Sequence, residues 1–177
     1  ADPVHNARKR LRALADENLI DQISILAHPE LTLSGPVFSW SPRQPTPDFG
    51  AVSYRLRCRW HEPFISVPAV LATRQAANFF GGDPGRHPKA AEQNHDVHLA
   101  AVYLHIRLHR PSWIALWISE QRIKRSRPDA PGEKLPDAMV EDSDRRIAIE
   151  FGGAYPKSKL ERFHQYWKGL STPYEVW

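Results

Sequence analysis

At 177 residues, 41% apolar and 25% charged, the chain is long enough to bury a core and too apolar to be disordered. No apolar run approaches the ~18 residues a membrane span needs, and the basic opening ADPVHNARKRLRAL is not followed by the apolar core of a secretory leader. Net charge is +4, with eleven Lys/Arg against eight Asp/Glu through residue 90 and thirteen against twelve after it; such an excess suits a nucleic-acid partner without requiring one.

A single cysteine, Cys58, excludes an internal disulfide framework. It is expected to be a small buried hydrophobe, in a cytoplasmic protein of bacterial type.

In chain order, Asn6 to Ile20 repeats apolar residues at Ala7, Leu11, Leu14, Ala15 and Leu19, a helical spacing. Arg8, Lys9, Arg10 and Arg12 crowd its first turns, where they oppose the helix dipole. An external anion such as phosphate would relieve that; a solvated helix face is the equal alternative. An alternating strand, DQISILAHP, follows directly, as a wing follows a recognition helix.

Ala51 to Trp60, AVSYRLRCRW, alternates most cleanly and is predicted as a strand. Val52, Tyr54, Leu56, Cys58 and Trp60 would face one side; Arg55, Arg57 and Arg59 would face the other, to grip a nucleic-acid backbone or to pair with neighbouring acids. Val67 to Leu71 reads as a strand. A helix from Thr73 to Phe80 is N-capped by Thr73 and stopped by Gly81-Gly82. Residues 81–93, rich in Gly and Pro, form the best boundary. Asn94 to Arg110 is a helix with Asn94 as its N-cap, and SWIALWISE is a buried strand. QRIKRSRPDAPGEK is a basic loop, and PYEVW a closing strand.

The richest stretch is KLPDAMVEDSDRRIAIEFGGAYPKSKLERFHQYWKGL, residues 134–170, read as strand, tight turn, strand, helix. Asp137 opens its first strand, Glu150 closes its second, and Lys157 and Lys159 lie at the start of the helix. Two carboxylates at neighbouring strand ends can hold Mg²⁺ or Mn²⁺, oxygen-seeking ions that activate water and stabilise a phosphodiester transition state. A lysine would steady the attacking water or the phosphate. The bland alternative makes Asp137 a strand start, pairs Glu150 with Arg145 or Arg146, and leaves both lysines on the surface.

The element order from residue 93 onward, with Pro136-Asp137 and Glu150-Phe151-Gly152, resembles the PD-(D/E)xK nuclease-like superfamily, with Gly152 where the motif has lysine. The resemblance implies that a helix lysine takes that role: Lys157, nearer the helix start, ahead of Lys159. It also implies that Glu92 supplies the extra metal-binding acid. More of the chain is similar to the replication-relaxation family, through VPAVLATRQAANFFGG, NHDVHLAAVYLHI and LPDAMVEDSDRRIAIEFGGAYPKSKLERF. Proteins of that family belong to plasmids and other mobile elements and join a winged-helix region to a degenerate nuclease-like domain. The connection from Asp21 to Val67 is long for a plain wing.

The expected fold is therefore α/β or α+β, with a partial winged-helix-like region followed by an αβββαβ core. The expected domains are residues 1–82 for contacting DNA, a linker at 83–93, and a nuclease-like domain at 94–177. The expected function is DNA binding in plasmid or mobile-element replication, mobilisation or its regulation. DNA contacts would come from Arg8, Lys9, Arg10, Arg12, Arg55, Arg57 and Arg59. The alternatives are an active Mg²⁺- or Mn²⁺-dependent endonuclease and a non-catalytic scaffold. For the scaffold, Trp40, Trp60, Trp113, Trp117, Trp167 and Trp177 would offer aromatic surface to a homodimer or to other replication or mobilisation proteins. His95, His98, His105 and His109 share one helix, but no Cys pair or HExxH pattern accompanies them to make a zinc site.

Overall fold

The structure, a computed structural model, describes residues 3–126 and 135–177. The fold is mixed α/β, and its contacts divide the chain into residues 1–29 with 64–97 and residues 30–63 with 98–177. This corrects the linear division expected from the sequence. Residues 30–63, assigned there to a DNA-contacting front half, fold with the back half. The long Asp21–Val67 connection thus contains structural elements of the second unit.

In the first unit, α1 (Pro3–Asp16) ends in a Schellman turn. Asn18 takes φ 53°, its N–H donates to Ala15 O at 2.9 Å, and Leu19 N donates to Leu14 O at 2.8 Å. The chain passes straight into β1 (Ile20–Ala27), which pairs antiparallel with β3 (Ile65–Ala72) from Ile20↔Ala72 to Ala27↔Ile65. Pro68 is tolerated because each strand of a two-stranded ribbon has an open edge. Thr73 caps α3 (Arg74–Phe80) by accepting from Ala76 N at 3.2 Å and also donates to Asn18 O at 2.6 Å, tying α3 to the end of α1.

α4 (Gln93–His109) begins one residue earlier than expected, so Asn94 is not its cap. The Asn94 side chain instead accepts from His28 N at 2.9 Å, and Gln93 accepts from Leu26 N at 2.8 Å. Among the described residues, Ile25, Ala27 and Ala76 are the buried apolar residues of this unit.

The second unit is built on a five-stranded mixed sheet of order β2-β7-β6-β5-β4. Its strands are β2 (Phe38–Trp40), β4 (Trp117–Ser119), β5 (Ala138–Glu141), β6 (Arg146–Glu150) and β7 (Tyr174–Val176). β4, β5 and β6 form an antiparallel meander, and α6 (Lys157–Gly169) carries the chain to β7, parallel to β6. β2 closes the other edge antiparallel to β7. The turn between β5 and β6 is fixed by Asp142, whose carboxylate accepts from Asp144 N and Arg145 N at 2.9 and 2.7 Å.

Both sheet faces are covered, which is why β5 and β6 read as near-continuous apolar runs. Met139, Ala148, Tyr174 and Val176 pack with Phe49, Val52, Leu56, Leu160, Phe163 and Trp167. Ala138, Val140 and Ile149 point the other way, to Val102 and Ile106 of α4.

Three predicted elements are corrected. Ala51–Trp60 is not a strand: Phe49–Cys58 is a helix, α2. Its buried residues Phe49, Val52, Ser53 and Leu56 follow helical spacing, and Asp48 caps it by accepting from Gly50 N and Ala51 N at 2.9 and 3.1 Å. Cys58, at its end, is exposed rather than buried. The SWIALWISE segment is mostly a 3₁₀ turn (Pro111–Leu116), with only Trp117–Ser119 in the sheet. The predicted loop after it opens as α5 (Glu120–Ser126), placing a helix between two strands of the expected αβββαβ order; its remainder, 127–134, lies outside the described residues.

Candidate functional site

The register Ala138↔Ile149 places Asp137 and Glu150 opposite one another, one step beyond the last β5–β6 pair. Strand alternation then turns both side chains to the face that Met139 and Ala148 present to α2 and α6. Glu150 is buried, at 3% exposure. Asp137 is half-buried, and one of its carboxylate oxygens accepts from Phe151 N at 2.7 Å.

The sequence reading did not include the third member of this cluster. Tyr155 donates its hydroxyl to Glu150 Oε1 at 2.8 Å. Burial, and then the charges of Glu150 and Asp137, push its phenol far above the usual tyrosine range. It therefore remains a neutral hydrogen-bond donor. The signal in the sequence was a tyrosine two residues after the Gly152-Gly153 pair, but nothing in the spacing showed that it folds back over Glu150.

The two lysines separate. Lys159 brings Nζ to 3.2 Å from the Tyr155 ring centroid, a cation–π contact beside the carboxylates. Lys157, preferred in the sequence reading, is exposed and lies 3.7 Å from Glu161 one turn on. Two residues apart on a helix, they emerge about 200° apart, so one face cannot take both.

Gly152 is explained by packing. A Cβ there would meet Val176 Cγ1 at 2.7 Å and both Leu56 methyl carbons at 3.0 Å. Its N–H donates to Trp177 O at 2.8 Å, and its carbonyl accepts from Arg59. No lysine can stand at this position without moving the core.

Arg59 is therefore an internal clamp rather than a DNA contact. Its guanidinium donates to the carbonyls of Gly152 and, at 2.8 Å, of Trp177, and lies 5.0 Å from the Phe151 ring centre. Burial draws its pKa down to about 10, which leaves it charged at neutral pH. Arg55 and Arg57 are exposed in the last turn of α2, where cations suit the helix dipole. The expected row of three arginines on one strand face does not exist.

Glu92 belongs to the first unit and bonds Arg86 at 2.6 Å, with Lys89 at 3.6 Å. The Arg86 hydrogen bond holds its carboxyl below the usual range. Among the described residues, no group of three or more His, Cys, Asp or Glu could hold a metal ion. Glu150 Oε1 already accepts from a phenol and one Asp137 oxygen from a main-chain N–H, so one oxygen of each carboxylate is engaged within the fold.

His98 is buried, stacked on Phe151 and edge-on to Trp60. His105 and His109 lie ring to ring at 4.3 Å. None of the tryptophans is exposed: Trp40, Trp167 and Trp177 are buried and the others half-buried, so they serve the core rather than an aromatic docking surface. Among the described residues no helix is long and apolar enough to cross a membrane.

On α1, Arg8, Lys9, Arg10 and Arg12 are all exposed, and no carboxylate among the described residues pairs with them. Arg8, Lys9 and Arg12 lie within about 100° of one another around the helix, and Arg10 about 100° further on. The half-buried Leu11 and Ala15 lie outside that arc.

The chain matches no protein-family model, no curated protein and no solved structure.

Proposed function

We propose that this protein binds DNA through α1, in plasmid or mobile-element replication, mobilisation or its regulation, as the replication-relaxation resemblance implies. The observation that carries the reading is the cation cluster Arg8, Lys9, Arg10 and Arg12, exposed and without carboxylate partners among the described residues. α1 begins at Pro3, so these cations lie in its middle turns rather than at its start; Arg8 and Arg12, one turn apart, repel one another, and an external polyanion removes that penalty. A helix passing directly into the β1–β3 ribbon also agrees with a winged-helix reading. Phosphate contacts of this kind give affinity and register rather than base identity.

The test is an anisotropy titration with duplex DNA across a salt series. If these cations each neutralise one phosphate, log affinity falls against log salt with a slope near −3.6, about −0.9 per contact. Arg8→Ala with Arg12→Ala should flatten it by about 2 units. Salt-insensitive binding, or a slope unchanged by that pair, refutes the reading.

A protein partner is the second reading. Phe79 and Phe80, at the end of α3, are 73% and 77% exposed and favour it. Light scattering of the wild-type chain and of Phe79→Ser/Phe80→Ser tests it: association that survives the change unaltered excludes these residues as its basis.

A further inference from the structure

The carboxylate pair is assembled as a nuclease-like site would be, yet one oxygen of each carboxylate is held from within the fold. Glu150 and Asp137 face one another across β5 and β6 on a covered face of the sheet. A pair of carboxylates so placed needs a compensating group, and a hydrated divalent ion is one solution. Here the group is a side chain.

Tyr155 is held for this task from several directions. Its hydroxyl donates to Glu150 Oε1 at 2.8 Å. Its own carbonyl accepts from the buried Ser53 hydroxyl of α2 at 2.8 Å, and its N–H donates to Gly153 O at 2.7 Å. Lys159 covers the ring, its Nζ 3.2 Å from the ring centroid.

We propose that Tyr155 is a built-in plug: its phenol takes the position on Glu150 that a divalent cation would need, and closes the Asp137–Glu150 pair to metals. The chemistry is a substitution of donors. A neutral O–H, shielded and anchored, supplies the hydrogen bond that stabilises the buried carboxylate, in place of a metal–oxygen bond. Binding of Mg²⁺ or Mn²⁺ must then displace the phenol, break a bond to Glu150 and dehydrate the ion inside a packed region. The proposal goes beyond DNA binding and does not depend on it, because every residue of this cluster belongs to residues 30–63 or 98–177, a unit that does not include α1.

The test is Mn²⁺ binding to the whole chain, followed by loss of the free-ion paramagnetic resonance signal, without DNA. The wild-type chain should leave millimolar Mn²⁺ free, and its melting temperature should not respond to the metal. Tyr155→Phe removes only the hydroxyl, and Tyr155→Ala also clears the ring. Either should tighten Mn²⁺ binding by about tenfold or more, the scale on which groups bonded to metal-ligating side chains move affinity. Adding Glu150→Gln should abolish the gain.

Mn²⁺ held by the wild-type chain and lost in Asp137→Asn overturns the proposal, and that arm stands whether or not the Tyr155 variants fold. Folded Tyr155→Phe and Tyr155→Ala chains that bind Mn²⁺ no better than wild type overturn it as well. DNA affinity measured on the same variants should not change, so failure here and failure of the α1 reading are told apart.

Discussion

Replacing Gly152 by alanine tests the packing account of the missing motif lysine. The new Cβ would lie 2.7 Å from Val176 Cγ1 and 3.0 Å from Leu56 Cδ1 and Cδ2, against the roughly 3.5–4.0 Å at which carbon atoms pack best. Val176 is 1% exposed, β-branched and held in β7 between β2 and β6, so it cannot rotate away freely. Leu56 is 0% exposed. Gly152 itself does not take a positive φ, so the penalty is steric rather than conformational.

Overpacking of this kind costs about 1–3 kcal/mol. For a chain of this length that lowers the melting temperature by roughly 2–4 °C per kcal/mol. Urea unfolding followed by tryptophan fluorescence is the assay, because every tryptophan lies in residues 30–63 or 98–177 and reports the unit that holds the site. Val176→Ala in the same chain removes the methyl group in contact. The double variant should therefore be more stable than the sum of the single losses predicts, by about 0.5 kcal/mol or more. A Gly152→Ala loss below about 0.5 kcal/mol, or strict additivity with Val176→Ala, refutes the steric reasoning. Gly152→Lys, which would restore the motif, should be more disruptive than Gly152→Ala.

Arg59→Met should destabilise by about 2–3 kcal/mol, since it removes charge-assisted bonds to the Gly152 and Trp177 carbonyls, while Arg55→Ala and Arg57→Ala should stay within about 0.5 kcal/mol; equal effects of the three in denaturant melts would return Arg59 to the surface. His164 packs against Trp40, Phe49 and Tyr174, and burial, then Lys168, lowers its pKa, so the folded state prefers the neutral ring. Its contribution is fully present above the ordinary value of about 6.5 and is lost as pH falls through the depressed folded value. Melts of wild type and His164→Gln should thus converge on acidification, and a widening gap would contradict the sign.

Much of the sheet was legible because its cues are local. Apolar runs at Ala138–Val140 and Ile147–Ile149, the Asp142 turn between them and the helical stripe after Pro156 each lie within a few residues. The carboxylates could be placed at strand ends for the same reason. Residues 49–58 were misread because Val52 and Leu56 satisfy both a period of two and a helical spacing of four. The Asp48 cap, which decides between them, was overlooked.

The sequence by itself determined where short-range hydrogen bonding and periodicity dominate: the α1-to-β1 passage, the Thr73 cap, the β5–β6 hairpin and the clustering of cations on α1. Tertiary structure alone decided which residues meet across the fold. It sent Arg59 inward to carbonyls at Gly152 and Trp177, far along the chain, and it moved residues 30–63 into the second unit. It laid Lys159 over the Tyr155 ring and left Lys157 exposed beside Glu161, and it brought Tyr155 onto Glu150. The physical reason is that capping and alternation are set by neighbours in sequence, whereas the partner of a buried charge is whichever group the packed layers bring within hydrogen-bond distance.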